Sequence, residues 1–271
     1  MHDDLVLVSI GNTRTRLATV RDDGLDPSQV LSNDDPAAVA RAIAAAGKTA
    51  VIASVNERIC DRIEAELAAT GRSIRVLRFG RDLAIPVAHT LDEQAARTLG
   101  QDRLLDALGA FARSEQACVV IDAGTAVTVD FVDGEGVFHG GVIAPGVQMM
   151  LRSLHEQTSA LPLVAISRDL LPASDPDAPD KRPPFGRDTR EAIARGVAGA
   201  IRGLAHDLID RYAEFYGAYP RIIATGGDAP LLFENDPLVE AVVPDLTLIG
   251  MLEAVKRLDR LAESDGAEED R

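Results

Sequence analysis

A strand, a glycine-containing turn and a second strand occur twice in this sequence, and this repeat constrains the fold more than any other feature. In residues 118–132 a β-branched run ends at Asp122, a turn follows, and an alternating run typical of a half-buried strand comes next. Residues 5–20 show the same order around another glycine. The repeat predicts two similar α/β domains produced by duplication.

The two copies align residue by residue through their turns. Gly11 matches Gly124, Asn12 matches Thr125, and Ser9 falls where Asp122 stands. A glycine turn lets backbone N–H groups approach an anion closely, so the turns suit phosphate binding and place a nucleotide between the two halves. Taken alone, the second copy is explained equally well by an ordinary turn with a capping aspartate.

Size and composition support two lobes with aliphatic cores. The chain has 271 residues, 46% of them hydrophobic and 4% aromatic, with no Trp. This length exceeds one average domain and fits two. We predict an N-terminal lobe in residues 1–115, a C-terminal lobe in residues 116–262, and an acidic, disordered tail in residues 263–271.

Charge and cysteine content exclude several classes of function. The net charge of −15 argues against nucleic-acid or anionic-membrane partners, which select basic surfaces. Cys60 and Cys118 lack the spacing of a metal site. No apolar run is long enough to span a bilayer, and the N-terminus does not resemble a signal peptide, so we expect a cytoplasmic protein.

The remaining pattern alternates between strands and helices. Helices are expected at residues 37–46, 56–70, 149–161, 189–212 and 246–262, and strands at residues 49–55, 74–77 and 221–224. Residues 81–94 and 162–184 read as irregular. Such alternation indicates a mixed or parallel sheet flanked by helices.

Two further segments are candidates for function. Asp102 lies at the start of a predicted helix, where an aspartate is most often a cap but is also well placed as a general base. The strand at residues 221–224 runs into Gly226 and Gly227, which give backbone room beside a base or ribose, although the same pair also makes a simple turn.

Five segments, taken in order, resemble the type III pantothenate kinases. They are residues 10–15 (IGNTRT), 99–103 (LGQDR), 121–126 (IDAGTA), 140–146 (GGVIAPG) and 225–228 (TGGD). The resemblance implies the actin-like, Hsp70-like and sugar-kinase-like fold, in which two duplicated lobes of ribonuclease H-like topology bind ATP in a cleft. It also implies a homodimer.

The resemblance further implies a role for each matching residue. Asp102 is the base for the primary hydroxyl of pantothenate, Asp122 holds potassium or ammonium, and ATP is bound with Mg²⁺. The implied substrate contacts are Gly100, Gln101, Arg103, Thr189 and the position of Glu93. The implied nucleotide contacts are Ser9, Ile10, Gly11, Asn12, Thr13, Arg14, Thr15, Arg16, Thr125, Gly226 and Gly227.

Three positions depart from the family pattern. Ser9 replaces an aspartate that helps to position magnesium, and a neutral hydroxyl is a poor ligand for a hard dication. Glu93 replaces a substrate-holding tyrosine, and Ala96 replaces a proline. The leading hypothesis is ATP-dependent phosphorylation of pantothenate. A catalytically impaired paralogue that binds nucleotide or pantothenate as a regulatory protein is the alternative, and a kinase for another small hydroxylated substrate is a third.

Overall fold

A computed structural model of the chain describes residues 4–171 and 185–269. The chain forms two compact units. Of these described residues, the first unit comprises those within 1–113, 136–138 and 245–271, and the second comprises those within 114–135 and 139–244.

Strands and helices follow one another in the order expected of an α/β protein. The strands are β1 (Leu5–Ile10), β2 (Arg14–Arg21), β3 (Gly24–Leu25), β4 (Gln29–Ser32), β5 (Thr49–Ser54), β6 (Arg75–Arg78), β7 (Cys118–Ala123), β8 (Ala126–Val132), β9 (Phe138–Pro145), β10 (Arg221–Thr225) and β11 (Ala241–Val242). The helices are α1 (Pro36–Ala46), α2 (Glu57–Ala69), α3 (Glu93–Thr98), α4 (Gln101–Ser114), α5 (Val147–Glu156), α6 (Thr189–Tyr216), α7 (Ala229–Phe233) and α8 (Leu246–Glu269).

Local capping explains where several helices begin. The side chain of Asp35 accepts a hydrogen bond from Ala38 N before α1, and Asn56 does the same for α2. Asp188 caps α6 by accepting from the backbone of Glu191. These side chains satisfy backbone N–H groups that have no partner inside the helix.

The duplication is confirmed by the strand order of the two sheets. In the first unit the order is β3-β2-β1-β5-β6, and β4 also pairs with β2. In the second unit it is β11-β10-β7-β8-β9. In each sheet the hairpin (β1–β2 or β7–β8) is antiparallel, and its first strand has a parallel neighbour on the other side (β5 or β10).

The strand register also supports the alignment of Ser9 with Asp122. The last pair of the first hairpin is Ile10 with Thr15, and the last pair of the second is Ala123 with Val127. Ser9 and Asp122 are therefore both the second-to-last residue of their strand. The turns differ in length, since residues 11–14 connect the first hairpin and residues 124–126 the second.

The cores of both units are aliphatic, as the composition indicates. In the first unit, Val6, Val8 and Ile10 face one side of the sheet, while Leu5 and Leu7 face the other. In the second unit, alternate residues of β7 and β8 pack against α6. The alternation follows from the two-residue period of a strand.

The C-terminal helix differs from its predicted assignment. Leu248, Met251 and Leu252 of α8 pack in one cluster with Leu5 and Leu7 of β1, so α8 is part of the first unit rather than of a C-terminal lobe. The helix continues to Glu269, where the sequence predicted a disordered tail. Ala and Glu are good helix formers, and extending an existing helix costs little, so an acidic segment can remain helical.

Three other boundaries differ from prediction. Helix α3 lies partly in the segment predicted to be irregular, α5 ends at Glu156, and α6 continues to Tyr216. Residues 172–184 of the predicted irregular stretch at 162–184 lie outside the described residues. The part that is described contains a short 3₁₀ helix at Arg168–Leu170 and the buried Val164 and Leu171.

Candidate active site

The turn between β1 and β2 is exposed but internally fixed. Gly11 N donates to Arg14 O at 3.0 Å, which closes the turn. The three residues between Gly11 and Thr15 (Asn12, Thr13 and Arg14) are exposed, as an anion-binding turn requires. Ile10, also a predicted nucleotide contact, is buried, so its side chain belongs to the core.

Two other predicted phosphate contacts have side chains that are engaged inside the first unit. Thr15 is fully buried and donates its hydroxyl hydrogen bond to Asn33 Oδ1 at 2.7 Å. Arg16 forms an ion pair with Asp245 at 2.6 Å. These contacts lie 18 and 229 residues away in sequence, so a local motif does not reveal them. Among the predicted phosphate contacts in this segment, the exposed side chains are thus those of Asn12, Thr13 and Arg14.

Ser9 lies in the middle of the sheet rather than at its edge. It is half-buried and pairs with Arg16 of β2 and Ala53 of β5. Its only side-chain ligand atom is a neutral hydroxyl oxygen, whereas Mg²⁺ favours carboxylate, phosphate and water oxygens. Ser9 therefore lies next to the turn, as predicted, but its side chain is a weak ligand for magnesium.

Asp102 is in the first turn of α4. Its Oδ1 accepts a hydrogen bond from Arg103 N at 2.8 Å, and a Cβ at the preceding Gly100 would come within 2.5 Å of the same oxygen. Burial raises the pKa of Asp102, and the hydrogen bond and charge of Arg103 oppose this shift in part. The carboxylate thus lies at the start of the helix, and its raised pKa suits a general base, a role that stays a prediction.

Gln101 holds the start of α4 in place. Its Nε2 donates to Phe79 O at 3.0 Å, and its Oε1 accepts from Ser54 N at 3.3 Å. Gly80, at φ +79°, leaves room for this amide, because a Cβ there would lie 2.5 Å from Nε2. Both polar ends of Gln101 are used within the first unit, where they hold the start of α4 beside Asp102. Its contact with substrate stays a prediction.

The other two predicted substrate contacts of this unit differ in their surroundings. The Arg103 guanidinium lies 5.7 Å from the ring centroid of Phe138, in cation–π contact. Glu93 is the first residue of α3, and its side chain is 88% exposed and paired with Arg97 at 3.2 Å. This exposed ion pair explains how a glutamate is accommodated where the family pattern has tyrosine.

In the second unit, Asp122 and the Gly226–Gly227 segment are close together. A Cβ at Gly226 would lie 2.3 Å from Asp122 Oδ1, and Gly226 has φ +94°, which a side chain rarely adopts. Asp228 N also donates to Ala123 O at 2.9 Å. Two segments about 100 residues apart, each identified by its sequence, therefore form one glycine-lined site around a carboxylate.

The remaining predicted contacts of the second unit lie at exposed positions. Thr125 is exposed in the β7–β8 turn, and its carbonyl accepts from Gly146 N at 3.2 Å, so the 140–146 segment supports this turn. Gly227 is exposed with open space around it. Thr189 is the exposed first residue of α6.

The side chains present fit some of the implied ions better than others. Within residues 4–171 and 185–269, no group of three or more His, Cys, Asp or Glu side chains is arranged to hold a metal. One carboxylate with nearby backbone groups, as at Asp122, suits a monovalent cation. Mg²⁺ usually keeps several waters and binds phosphate oxygens, so it fits as an ion carried by ATP rather than by a protein cage.

Every helix in the described part of the chain is too short or too polar to cross a membrane.

Comparison with known proteins identifies the family. The family model of type III pantothenate kinase matches residues 5–211. A type III pantothenate kinase of Rhodospirillum rubrum is 40% identical over 154 residues, which are 57% of this chain and 55% of that protein. The chain thus spans little more than half the length of this curated relative.

Solved structures show the fold. A conserved protein of Campylobacter jejuni assigned to the Baf family of transcriptional activators has a TM-score of 0.58 at 20% identity, covering 94% of this chain and 99% of that one. A Sinorhizobium meliloti protein assigned as a 2-dehydro-3-deoxygalactonokinase has a TM-score of 0.57 at 14% identity, with coverage of 94% and 99%. The fold is that of the actin-like ATPases and sugar kinases, and because the family model covers residues 5–211, the chain belongs to the type III pantothenate kinase family.

Proposed function

We propose that this protein transfers the γ-phosphoryl group of ATP to pantothenate and forms 4′-phosphopantothenate, the first step of coenzyme A biosynthesis. The observation that carries the proposal is Asp102, a carboxylate with a raised pKa held at the start of α4 inside the segment that matches the family model. Family membership supports pantothenate as the acceptor, and the burial and raised pKa of Asp102 support this residue as the base.

Asp102 takes the proton from the primary hydroxyl of pantothenate as that oxygen attacks the γ-phosphorus. Phosphoryl transfer depends mainly on alignment and charge stabilisation, so a carboxylate that orients the hydroxyl contributes most by positioning. A raised pKa makes Asp102 a stronger base than an ordinary aspartate. Gln101 keeps this carboxylate in place by joining the start of α4 to Ser54 and Phe79.

The β1–β2 turn binds the phosphates of ATP. Residues 12–14 are exposed there, and Arg14 contributes a cation. Mg²⁺, when bound with ATP, neutralises the phosphate oxygens. Because Ser9 adds no charge beside this turn, we propose that the magnesium requirement is higher than in relatives with an aspartate at this position.

Asp122 holds a monovalent cation, potassium or ammonium, next to the second turn. A lone carboxylate beside phosphate oxygens would repel them, and a bound cation reverses that local charge. Thr125, Gly226 and Gly227 then contact the nucleotide, and Arg103 and Thr189 contact pantothenate. We further propose that the active form is a homodimer.

The test is pantothenate-dependent release of ADP from the purified full chain, with magnesium and potassium present. Pantothenate should stimulate ADP release strongly, whereas sugars and 2-dehydro-3-deoxygalactonate should not. Stimulation by one of those acceptors instead would identify a different kinase. Binding of ATP without ADP release by any acceptor would favour the catalytically impaired alternative.

A further inference from the structure

We infer that Asn33, which lies outside every motif named above, is the positioning residue that prepares the β1–β2 turn for phosphate. Asn33 directly follows β4 and is 5% exposed. This inference deepens the proposed function, on which it rests, because it assigns the conformation of the nucleotide-binding turn to a buried amide beneath it.

Asn33 makes three hydrogen bonds to the turn and to Thr15, which follows it. Its Nδ2 donates to Gly11 O at 2.8 Å, and its backbone N donates to Thr13 O at 3.1 Å. Its Oδ1 accepts from the buried Thr15 hydroxyl at 2.7 Å, which fixes the amide in this orientation. One residue therefore connects the beginning, the middle and the end of the turn.

The consequence is electrostatic. An anion-binding turn must direct N–H groups toward the ligand and keep carbonyl oxygens away from it. In this turn the carbonyls of Gly11 and Thr13 are occupied by Asn33, and the carbonyl of Arg14 is occupied by Gly11 N. Three carbonyl oxygens that would otherwise repel a phosphate are thus engaged on the protein side before ATP arrives.

The chemistry requires an amide at this position. Asparagine donates to Gly11 O and accepts from Thr15 Oγ1 at the same time. Aspartate keeps the acceptor but loses the donor and places a charge against a carbonyl oxygen, and alanine loses both. At Thr15, serine would keep the hydroxyl that donates to Asn33, whereas valine would keep the branched shape of the side chain and remove the hydroxyl.

The experiment measures the affinity of the full chain for the β,γ-imido analogue of ATP with magnesium, and separately for pantothenate. Asn33→Ala and Asn33→Asp should weaken binding of the analogue roughly five- to a hundredfold, the range that corresponds to the loss of a buried hydrogen bond, while pantothenate affinity stays unchanged. Thr15→Val should weaken binding of the ATP analogue less than the Asn33 substitutions do. Thr15→Ser, which keeps the hydroxyl, should bind the analogue as the wild type does. The effects of Thr15→Val and Asn33→Ala should not add, because both act through one network.

His206→Gln is the matched control for a general loss of stability. It replaces the half-buried imidazole that lies 2.9 Å from the buried Asp236 carboxylate in the second unit, so it should lower the melting temperature and leave analogue affinity unchanged. If the Asn33 variants do not fold, the Thr15 variants alone decide the matter.

Wild-type analogue affinity in a folded Asn33→Ala protein, or in Thr15→Val when Asn33→Ala does not fold, would overturn the inference. An equal loss in His206→Gln would also overturn it, since the effect would then be one of stability. Because these are binding measurements, a protein that binds the analogue but does not phosphorylate pantothenate would refute the proposed acceptor and still test Asn33.

Discussion

Replacing Asp102 by asparagine separates its two possible roles at the start of α4. In the wild type Asp102 Oδ1 accepts a hydrogen bond from Arg103 N at 2.8 Å. Asparagine keeps an oxygen that can accept this bond, and it is as favourable as aspartate at a helix start. It cannot take a proton. The variant should therefore lose activity while the helix remains intact.

The expected loss in kcat follows from the role of a general base. Such a group contributes about 10²- to 10⁴-fold, which corresponds to roughly 3–5 kcal/mol of barrier height. Asp102→Ala should lose a similar amount of activity, and it should also lose about 1 kcal/mol of stability, because it removes the acceptor at the helix start. The difference between the two variants measures the structural contribution alone.

The pKa shift of Asp102 gives the sign of two pH effects. Burial raises its pKa in the folded state, so the ionised form is penalised and its contribution to stability falls as the pH rises through that pKa. At neutral pH the unfolding free energy of Asp102→Asn should thus equal or exceed that of the wild type. The acid limb of the wild-type kcat/KM profile should lie above the ordinary aspartate pKa of about 3.9.

The assay is ADP release at saturating ATP and pantothenate, together with thermal melting of each variant. Asp106→Asn, one turn further along α4, is the matched control: it changes a buried carboxylate bonded to Thr247, and it should retain kcat. Turnover of Asp102→Asn within a few-fold of the wild type, or a large drop in its melting temperature with no specific loss of kcat, would refute the assignment of Asp102 as the base.

Three further predictions follow from other parts of the structure. Asp122→Asn should abolish stimulation by potassium or ammonium, which in the wild type should exceed that by sodium or lithium; indifference of the wild type to the cation would count against the site. Ser9→Asp should lower the magnesium concentration needed for half-maximal activity, with about ten- to a thousandfold higher rate at limiting magnesium, and an unchanged magnesium titration would show that Ser9 does not mark a lost ligand. Gly250→Ala should destabilise the fold by about 1–3 kcal/mol, because the new Cβ would meet Leu105 O. Gly199→Ala, on the open face of α6, should be neutral or stabilising by up to about 1 kcal/mol. Equal melting temperatures for the two variants would refute this packing.

The parts of the fold that were predicted from the sequence are those with local signals. Alternation and β-branched runs gave both hairpins, and the repeated glycine turns gave the alignment of Ser9 with Asp122 that the strand register supports. The proximity of Asp122 and Gly226 was not predicted; it follows from the parallel pairing of β7 with β10, which places Thr225 opposite Asp122. The period of apolar residues along the chain is sufficient to predict these strands.

The parts that were missed depend on contacts between residues distant in sequence. Asn33 precedes Asp34, Asp35 and Pro36, so it reads as part of a helix start, and its bond to Gly11 joins residues 22 positions apart. Gln101 likewise uses its amide on Phe79 O and Ser54 N, 22 and 47 residues away. An amide side chain has many possible partners, and local sequence does not select among them.

The helix boundaries failed for a different reason. The acidic end of α8 has the composition of a disordered segment. Composition does not show, however, that this segment continues a helix already held against β1 by Leu248, Met251 and Leu252. That anchoring also placed α8 in the first unit.

The most direct test of the central claim is detection of the product. The purified full chain should be incubated with ATP, magnesium, potassium and pantothenate, and 4′-phosphopantothenate should be quantified by mass spectrometry in the wild type and in Asp102→Asn. Our account predicts product that increases with time in the wild type and falls at least a hundredfold in the variant. A wild-type protein that binds the ATP analogue yet forms no phosphopantothenate, or a variant that forms it at the wild-type rate, would contradict the account.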